Sequence, residues 1–177
     1  MSLSLKTGRL VGQKKTKVEK KIIPLEKDVH RMVCKYLDMK HGELAFHSDF
    51  AAASRMTMGQ IMANKAIQSK DSWSDLFIAM PIFKKNDEDD IRETCQYCGL
   101  FIEIKSGYSK VFKKDGTLKE SWVTKKNKFG IITDHYDHLK LQNDFLLKMR
   151  GLGYCAEFGL GYDHTVNLIE SYLNGTL

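Results

Sequence analysis

The chain has 177 residues, 42% of them apolar, and a formal charge of +6. That length fits one domain able to bury a real core, and no window approaches the ~18 consecutive apolar residues of a membrane-spanning helix, so no membrane partner is expected. The basic balance favours a polyanion as partner, nucleic acid first.

The opening residues lack the apolar stretch of a secretory signal, which leads to the expectation of a cytoplasmic protein. Cys34, Cys95, Cys98 and Cys155 do not have the spacing of a disulfide framework. Cys95-Gln96-Tyr97-Cys98 is a lone CxxC, without the second pair that a structural zinc site wants. Reduced thiols are the expectation.

Residues 1–23 form a basic arm, in which Lys6, Arg9, Lys14, Lys15, Lys17, Lys20 and Lys21 are relieved only by Glu19. The arm reads either as a solvated terminus or as a phosphate contact. A single domain is expected over residues 24–177. Pro24 opens a helix whose Leu25, Val29, Met32, Val33, Tyr36 and Leu37 form one apolar stripe, with Gly42 as its stop. Glu26 borders that stripe. Its carboxylate could reach a site on the core edge or serve only as a helix-start acid.

Leu44 to His47 read as a short strand, and residues 51–70 as a helix or ordered loop. Asp75 to Met80 read as a strand stopped by Pro81. An acidic loop at residues 86–90 precedes the strand Leu100 to Lys105. Residues 107–134 are polar, basic and punctuated by glycine, an insertion expected to be a loop or hairpin. Asp115-Gly116 supplies a hairpin-turn signal there. Lys113, Lys114, Lys125, Lys126 and Lys128, interleaved with Trp122 and other aromatics, could grip phosphates and stack on bases. A helix follows over residues 136–150, then a strand from Tyr154 to Phe158, then a helix containing Val166, Leu168, Ile169, Tyr172 and Leu173. This order describes an α/β sandwich, a mixed β-sheet flanked by helices.

The two apolar runs that end in acid carry the chemistry. In a strand, residues two apart share a face and lie about 6.6 Å apart, so Glu103 and Lys105 project together, away from Ile102 and Ile104. If the strand headed by Asp75 pairs alongside, Asp75 and Glu103 can converge on one hard divalent cation, Mg2+ or Mn2+, with the carbonyl of Ile104 as a further ligand. Such a cation would polarise a scissile phosphate and lower the pKa of a bound water. Lys105 could orient that water or neutralise developing charge. An acid-x-Lys triplet alone has little specificity: Glu19-Lys20-Lys21 and Asp38-Met39-Lys40 have the same form. Only Glu103-Ile104-Lys105 ends an apolar strand.

Ser72-Trp73-Ser74-Asp75-Leu76-Phe77-Ile78, Gly99 to Ser106, and Gln142-Asn143-Asp144-Phe145-Leu146 followed by Gly153-Tyr154 resemble the PD-(D/E)XK nuclease superfamily, and within it the virus-type replication-repair nuclease group, VRR-NUC. Members of that group have a Pro-Asp-Leu strand, a Gly-Leu-Phe-Ile-Glu-x-Lys strand, and a helix with Gln that leads to a Gly-Tyr strand. Asp163 to Leu173 resembles the group's closing helix. The resemblance spans residues 25–173, with 107–134 unmatched, and Ser74 stands where the group has proline.

The resemblance implies a restriction-endonuclease-like core and a metal-dependent DNA endonuclease. It implies Asp75, Glu103 and Lys105 as the catalytic centre, with Ile104 ligating through its carbonyl. Glu26 falls where the group has an acid on its first helix, and Gln142 matches the group's helix glutamine, a support for the site or the DNA backbone. It further implies structure-selective cutting of branched DNA, such as four-way junctions or flaps, and a homodimer. A phage origin fits the group's distribution. A sequence-specific restriction-type enzyme and a non-catalytic nucleic-acid-binding module remain open alternatives. Two further clusters are weaker. His135 and His138 could bind metal or lie in a capped, solvated helix start. His47-Ser48-Asp49 could meet substrate or play separate surface roles.

Overall fold

The computed structural model describes residues 24–49, 57, 73–85 and 93–177, in which a buried mixed sheet is covered by helices. The elements in chain order are α1 (Glu26–Lys40), β1 (Phe46–Ser48), β2 (Leu76–Ile78), β3 (Ile82–Lys85), β4 (Glu93–Tyr97), β5 (Leu100–Lys105), α2 (Tyr108–Val111), β6 (Trp122–Lys126), β7 (Ile132–Asp137), α3 (His138–Gly151), β8 (Cys155–Leu160) and α4 (Tyr162–Leu173). The main sheet has the order β1-β2-β5-β8. Its first two pairings are antiparallel and β5 runs parallel to β8, so the sheet is mixed.

Strand β5 is buried along its whole length, as expected of a strand covered on both faces. On one face Ile102 and Ile104 meet Val29, Val33 and Leu37 of α1 and Leu168, Ile169 and Tyr172 of α4. On the other, Phe101, Ala156 and Phe158 meet Leu139, Phe145, Leu146 and Met149 of α3. The expected α/β sandwich is therefore present. Tyr36 donates a hydrogen bond to Glu170, and His41 Nε2 lies 2.6 Å from the same carboxylate, which ties the end of α1 to α4. No helix among the described residues is long and apolar enough to cross a membrane.

Several elements differ from the sequence reading. β2 is shorter than Asp75 to Met80. It pairs Leu76 with Ile102, and beyond that point the Ile104 N–H is taken by the Asp75 carboxylate at 2.8 Å, so a side chain closes the ladder. The stretch around Pro81 and the CxxC holds an unforeseen hairpin, β3 with β4, with a register shift between Ile82 and Phe83. The acidic loop, residues 51–56 and 58–70, and the arm 1–23 lie outside the described residues.

The insertion 107–134 is structured. Asp115-Gly116 makes a tight turn with only the bridge Phe112–Leu118 across it. The long ladder is β6 with β7, turned at Asn127, whose Oδ1 accepts from the N–H groups of Phe129 and Ile131. Gly130, at φ 80°, takes the left-handed position of that turn. β7 runs two residues into the span expected to be helix. The helix starts at His138 because Asp137 caps it, accepting from Lys140 N at 3.2 Å.

The parallel pair β5–β8 depends on a close approach at Gly159, which pairs with Ile104. A Cβ there would fall 2.5 Å from Thr165 Oγ1 and 3.0 Å from Ile102 Cγ2. Thr165 is fully buried, and its hydroxyl donates to Gly161 O, so it cannot swing aside freely. Gly159→Ala is expected to lower stability by ~1–3 kcal/mol, the usual range for overpacking. Denaturant unfolding with the slope held constant measures this, and an unchanged midpoint would contradict the packing described.

Candidate active site

The site begins with alternation in β5. Glu103 and Lys105 share a face, and Lys105 Nζ donates to Glu103 Oε1 at 2.8 Å. The same ammonium lies 3.4 Å from Glu26 Oε1, at the start of α1. From the α3 side, the Gln142 amide donates to Glu103 Oε1. Asp75 joins through Ile104, whose N–H it accepts. Glu26, Asp75, Glu103, Lys105 and Gln142, from four different elements or their edges, therefore gather at the C-terminal end of β5.

Main-chain direction places the Ile104 carbonyl. Cys155 N donates to Gly99 O and Gly161 N to Lys105 O, so odd-numbered carbonyls of β5 face β8. The N–H and C=O of one strand residue point the same way. Ile104, whose N–H meets Asp75, thus turns its carbonyl toward the Asp75 edge as well.

Burial dominates the electrostatics. The Glu103 side chain is 5% exposed and that of Lys105 9%. Burial, reinforced by the charge of Asp75, pushes the Glu103 carboxyl up to about 8, against the opposing pull of Lys105. Burial pulls Lys105 down, but Glu103, Glu26 and Asp75 outweigh it and the net shift is upward. The ammonium therefore stays charged. Gln142 Oε1 is buried without a hydrogen-bond partner among the described residues.

Two histidines at this site were not read from the sequence in these roles. His30, one turn after Glu26, is buried, lies 2.7 Å from Ser48 Oγ through Nε2, and hydrogen-bonds the Asp75 main chain. Burial lowers its pKa against the raising effect of Asp75, Glu26 and Asp49. His138, the first residue of α3, is lowered by burial and then by the charge of Lys105, while Glu26, Asp75 and Asp137 oppose the shift. Both imidazoles are neutral at neutral pH. The i, i+4 spacing of Glu26 and His30 was the available signal, but a histidine on an apolar helix face reads equally well as core. His135 and His138 do not form a pair. His135 stacks on Trp122 with ring centroids 4.9 Å apart and shares a hydrogen bond with Thr124, whereas His138 turns to the site. Ser48 and Asp49 reach the site through His30, and His47 is exposed.

The candidate DNA-binding residues sit apart from this cluster. Lys113 and Lys114 flank the tight turn after α2, and Trp122, Lys125, Lys126 and Lys128 line the β6–β7 hairpin, all exposed. Lys125 is engaged locally, 3.4 Å from Asp134 and 4.8 Å from the Tyr136 ring centroid. The hairpin is rooted at the site, since Trp122 pairs with Asp137 and His138 N donates to Ser121 O.

Whether this cluster suits a divalent cation can be judged from its donors. It offers the carboxylates of Asp75 and Glu103, the first raising the cost of ionising the second, an inward-facing main-chain carbonyl and an amide oxygen without a partner among the described residues, all hard oxygen donors. Among the described residues no three His, Cys, Asp or Glu side chains gather as a ligand set. The fit is therefore to an ion such as Mg2+, which takes one or two carboxylates and completes its shell with water. No family model, curated protein or solved structure matches the chain.

The raised Glu103 pKa has a testable sign. Between its ordinary 4.5 and about 8 the folded protein holds a proton that the unfolded chain has released. This contribution makes stability fall as pH rises through that window. In metal-free protein, carboxyl-detected NMR should show Glu103 titrating near 8. Asp75→Asn should lower that midpoint, and Glu103→Gln should flatten the stability profile across the same window. A Glu103 midpoint in the ordinary carboxylate range would refute the burial described.

Proposed function

We propose that the chain is a divalent-metal-dependent DNA endonuclease of the PD-(D/E)XK type, acting on branched DNA and working as a homodimer. The observation that supports this most is the convergence of Asp75, Glu103 and Lys105 at one end of β5, backed by Glu26 and Gln142. Burying a lysine against a carboxylate carries a desolvation cost that a hydrophobic pair of the same volume would avoid, which supports a chemical rather than a purely structural reading of the pair. The +6 charge and the exposed basic hairpin rooted beside the cluster agree with a polyanionic substrate.

Asp75, Glu103 and the Ile104 carbonyl would hold the cation. When bound, it would polarise the scissile phosphodiester and ease ionisation of the attacking water. The protein's own residues do the rest. Lys105, fixed between Glu103 and Glu26, presents an ammonium that orients the water and offsets charge gathering on the phosphoryl oxygens. Gln142 holds Glu103 in its rotamer. His30 positions the Asp75 main chain. Neutral His138, at the mouth of the cluster, is available to accept a proton.

The test is a panel of labelled four-way junction, flap, single-stranded and linear duplex DNAs incubated with Mg2+ or Mn2+. Cleavage of branched species is expected. Sequence-dependent cutting of plain duplex would favour a restriction-type enzyme, and binding without cutting a silent module. Asp75→Ala and Glu103→Ala should each reduce single-turnover cleavage at least ~10²-fold while leaving the fold intact. Lys105→Ala should reduce turnover far more than DNA affinity. Wild-type rates in folded Asp75→Ala or Glu103→Ala protein would sink the assignment.

The hairpin makes its own prediction. Because β7 feeds α3, excising it would disturb the site, so substitution is the cleaner probe. Replacing Lys126 and Lys128 by Ala should make the slope of log affinity against log salt shallower, by ~0.9 for each duplex phosphate no longer neutralised. Trp122→Ala should weaken binding to unpaired regions, since stacking is worth ~1–3 kcal/mol per base. Unchanged slopes and affinities would place the DNA elsewhere.

A further inference from the structure

The Cys95–Cys98 pair plays no part in the cluster above. It sits where β4 turns into β5, at the opposite end of β5 from Glu103, and the five residue steps from Cys98 to Glu103 span at most ~16 Å of extended chain. Both thiols are exposed, with their sulfurs 3.8 Å apart. That separation is far from the ~2.05 Å of a disulfide. It matches the edge of a tetrahedron of thiolates around zinc, which with Zn–S bonds of ~2.3 Å is about 3.8 Å.

The backbone beneath the pair is held on both sides. Cys98 N donates to Gly153 O at 2.9 Å, and Cys155 N to Gly99 O at 3.0 Å. Gly99 is packed so closely that a Cβ would lie 2.9 Å from the Phe77 ring. The two sulfurs are thus presented outward from a fixed turn, while among the described residues no third His, Cys, Asp or Glu gathers with them. Two thiolates fill half of the shell of a soft tetrahedral ion, and an exposed turn leaves the other half open to another molecule.

We propose that Cys95 and Cys98 are half of a zinc site completed by the same pair from a second copy of this chain, one Zn2+ joining two chains through four thiolates. Binding displaces four thiol protons to solvent and involves no redox change. The proposal does not rest on the nuclease reading, because the pair lies away from the acidic cluster.

The test uses the full chain, reduced, stripped by chelator, and titrated with Zn2+ and then with Co2+ as a spectroscopic probe. Binding should saturate at one metal per two chains, in a species that light scattering sizes at two chains. Co2+ should give the intense near-ultraviolet thiolate-to-metal band of a four-thiolate tetrahedral site at that same ratio. The double variant Cys95→Ser/Cys98→Ser, altered only at exposed positions, should keep its circular dichroism and lose this binding. Saturation at one metal per chain would overturn the shared site, as would no binding, leaving a thiol pair only. Equal binding by the double variant would overturn it too. Should that variant misfold, the stoichiometry and Co2+ spectrum of the wild-type chain decide alone.

Discussion

A carboxylate shut away from water must find either a proton or a cation, and Glu103 is arranged for both. It sits in a strand covered by helices on both faces, with Lys105 two residues on and Asp75 close enough to oppose its ionisation. Lysine alone does not restore its ordinary acidity. The neighbouring elements respond to this one constraint: α1 begins with an acid that shares the ammonium, α3 places an amide on the carboxyl, and β2 ends where Asp75 takes a main-chain N–H. A buried ion pair is weak evidence for stability, since its desolvation cost offsets the Coulombic gain.

The same arrangement explains what was legible in the sequence. Period-two alternation put Glu103 and Lys105 on one face, opposite Ile102 and Ile104, and helical periodicity marked Val29, Val33 and Leu37 on the buried side of α1, whereas Leu25 and Met32 of the same expected stripe are exposed. Residues whose roles depend on tertiary approach were harder to read. His30 looks like any core-facing helix residue until β1 and β2 bring Ser48 and the Asp75 main chain to it. The β3–β4 hairpin is short, with charged residues toward its connecting loop, so no alternating pattern stood out. In the insertion, the Asp-Gly signal marked a real but minor turn, and the governing turn used Asn127, whose side chain organises the loop.

The hairpin links composition to site. Its exposed Trp122, Phe129, Ile131 and Ile132 stand among lysines, a surface with both stacking and ionic capacity. Because β7 passes into α3 at Asp137 without a loop, a force on the hairpin acts directly on the helix that carries His138 and Gln142. The hairpin and the placement of those two side chains are therefore mechanically joined.

The central claim is that Glu103 exchanges its proton for a cation. Calorimetric titration of Mn2+ or Mg2+ at pH 7, repeated in buffers of different ionisation enthalpy, counts the protons released on binding. With the Glu103 carboxyl pushed up to about 8, the account predicts net release of protons on cation binding by the wild-type protein, and none by Glu103→Gln. Proton-neutral binding, or a release that persists in Glu103→Gln, would contradict it.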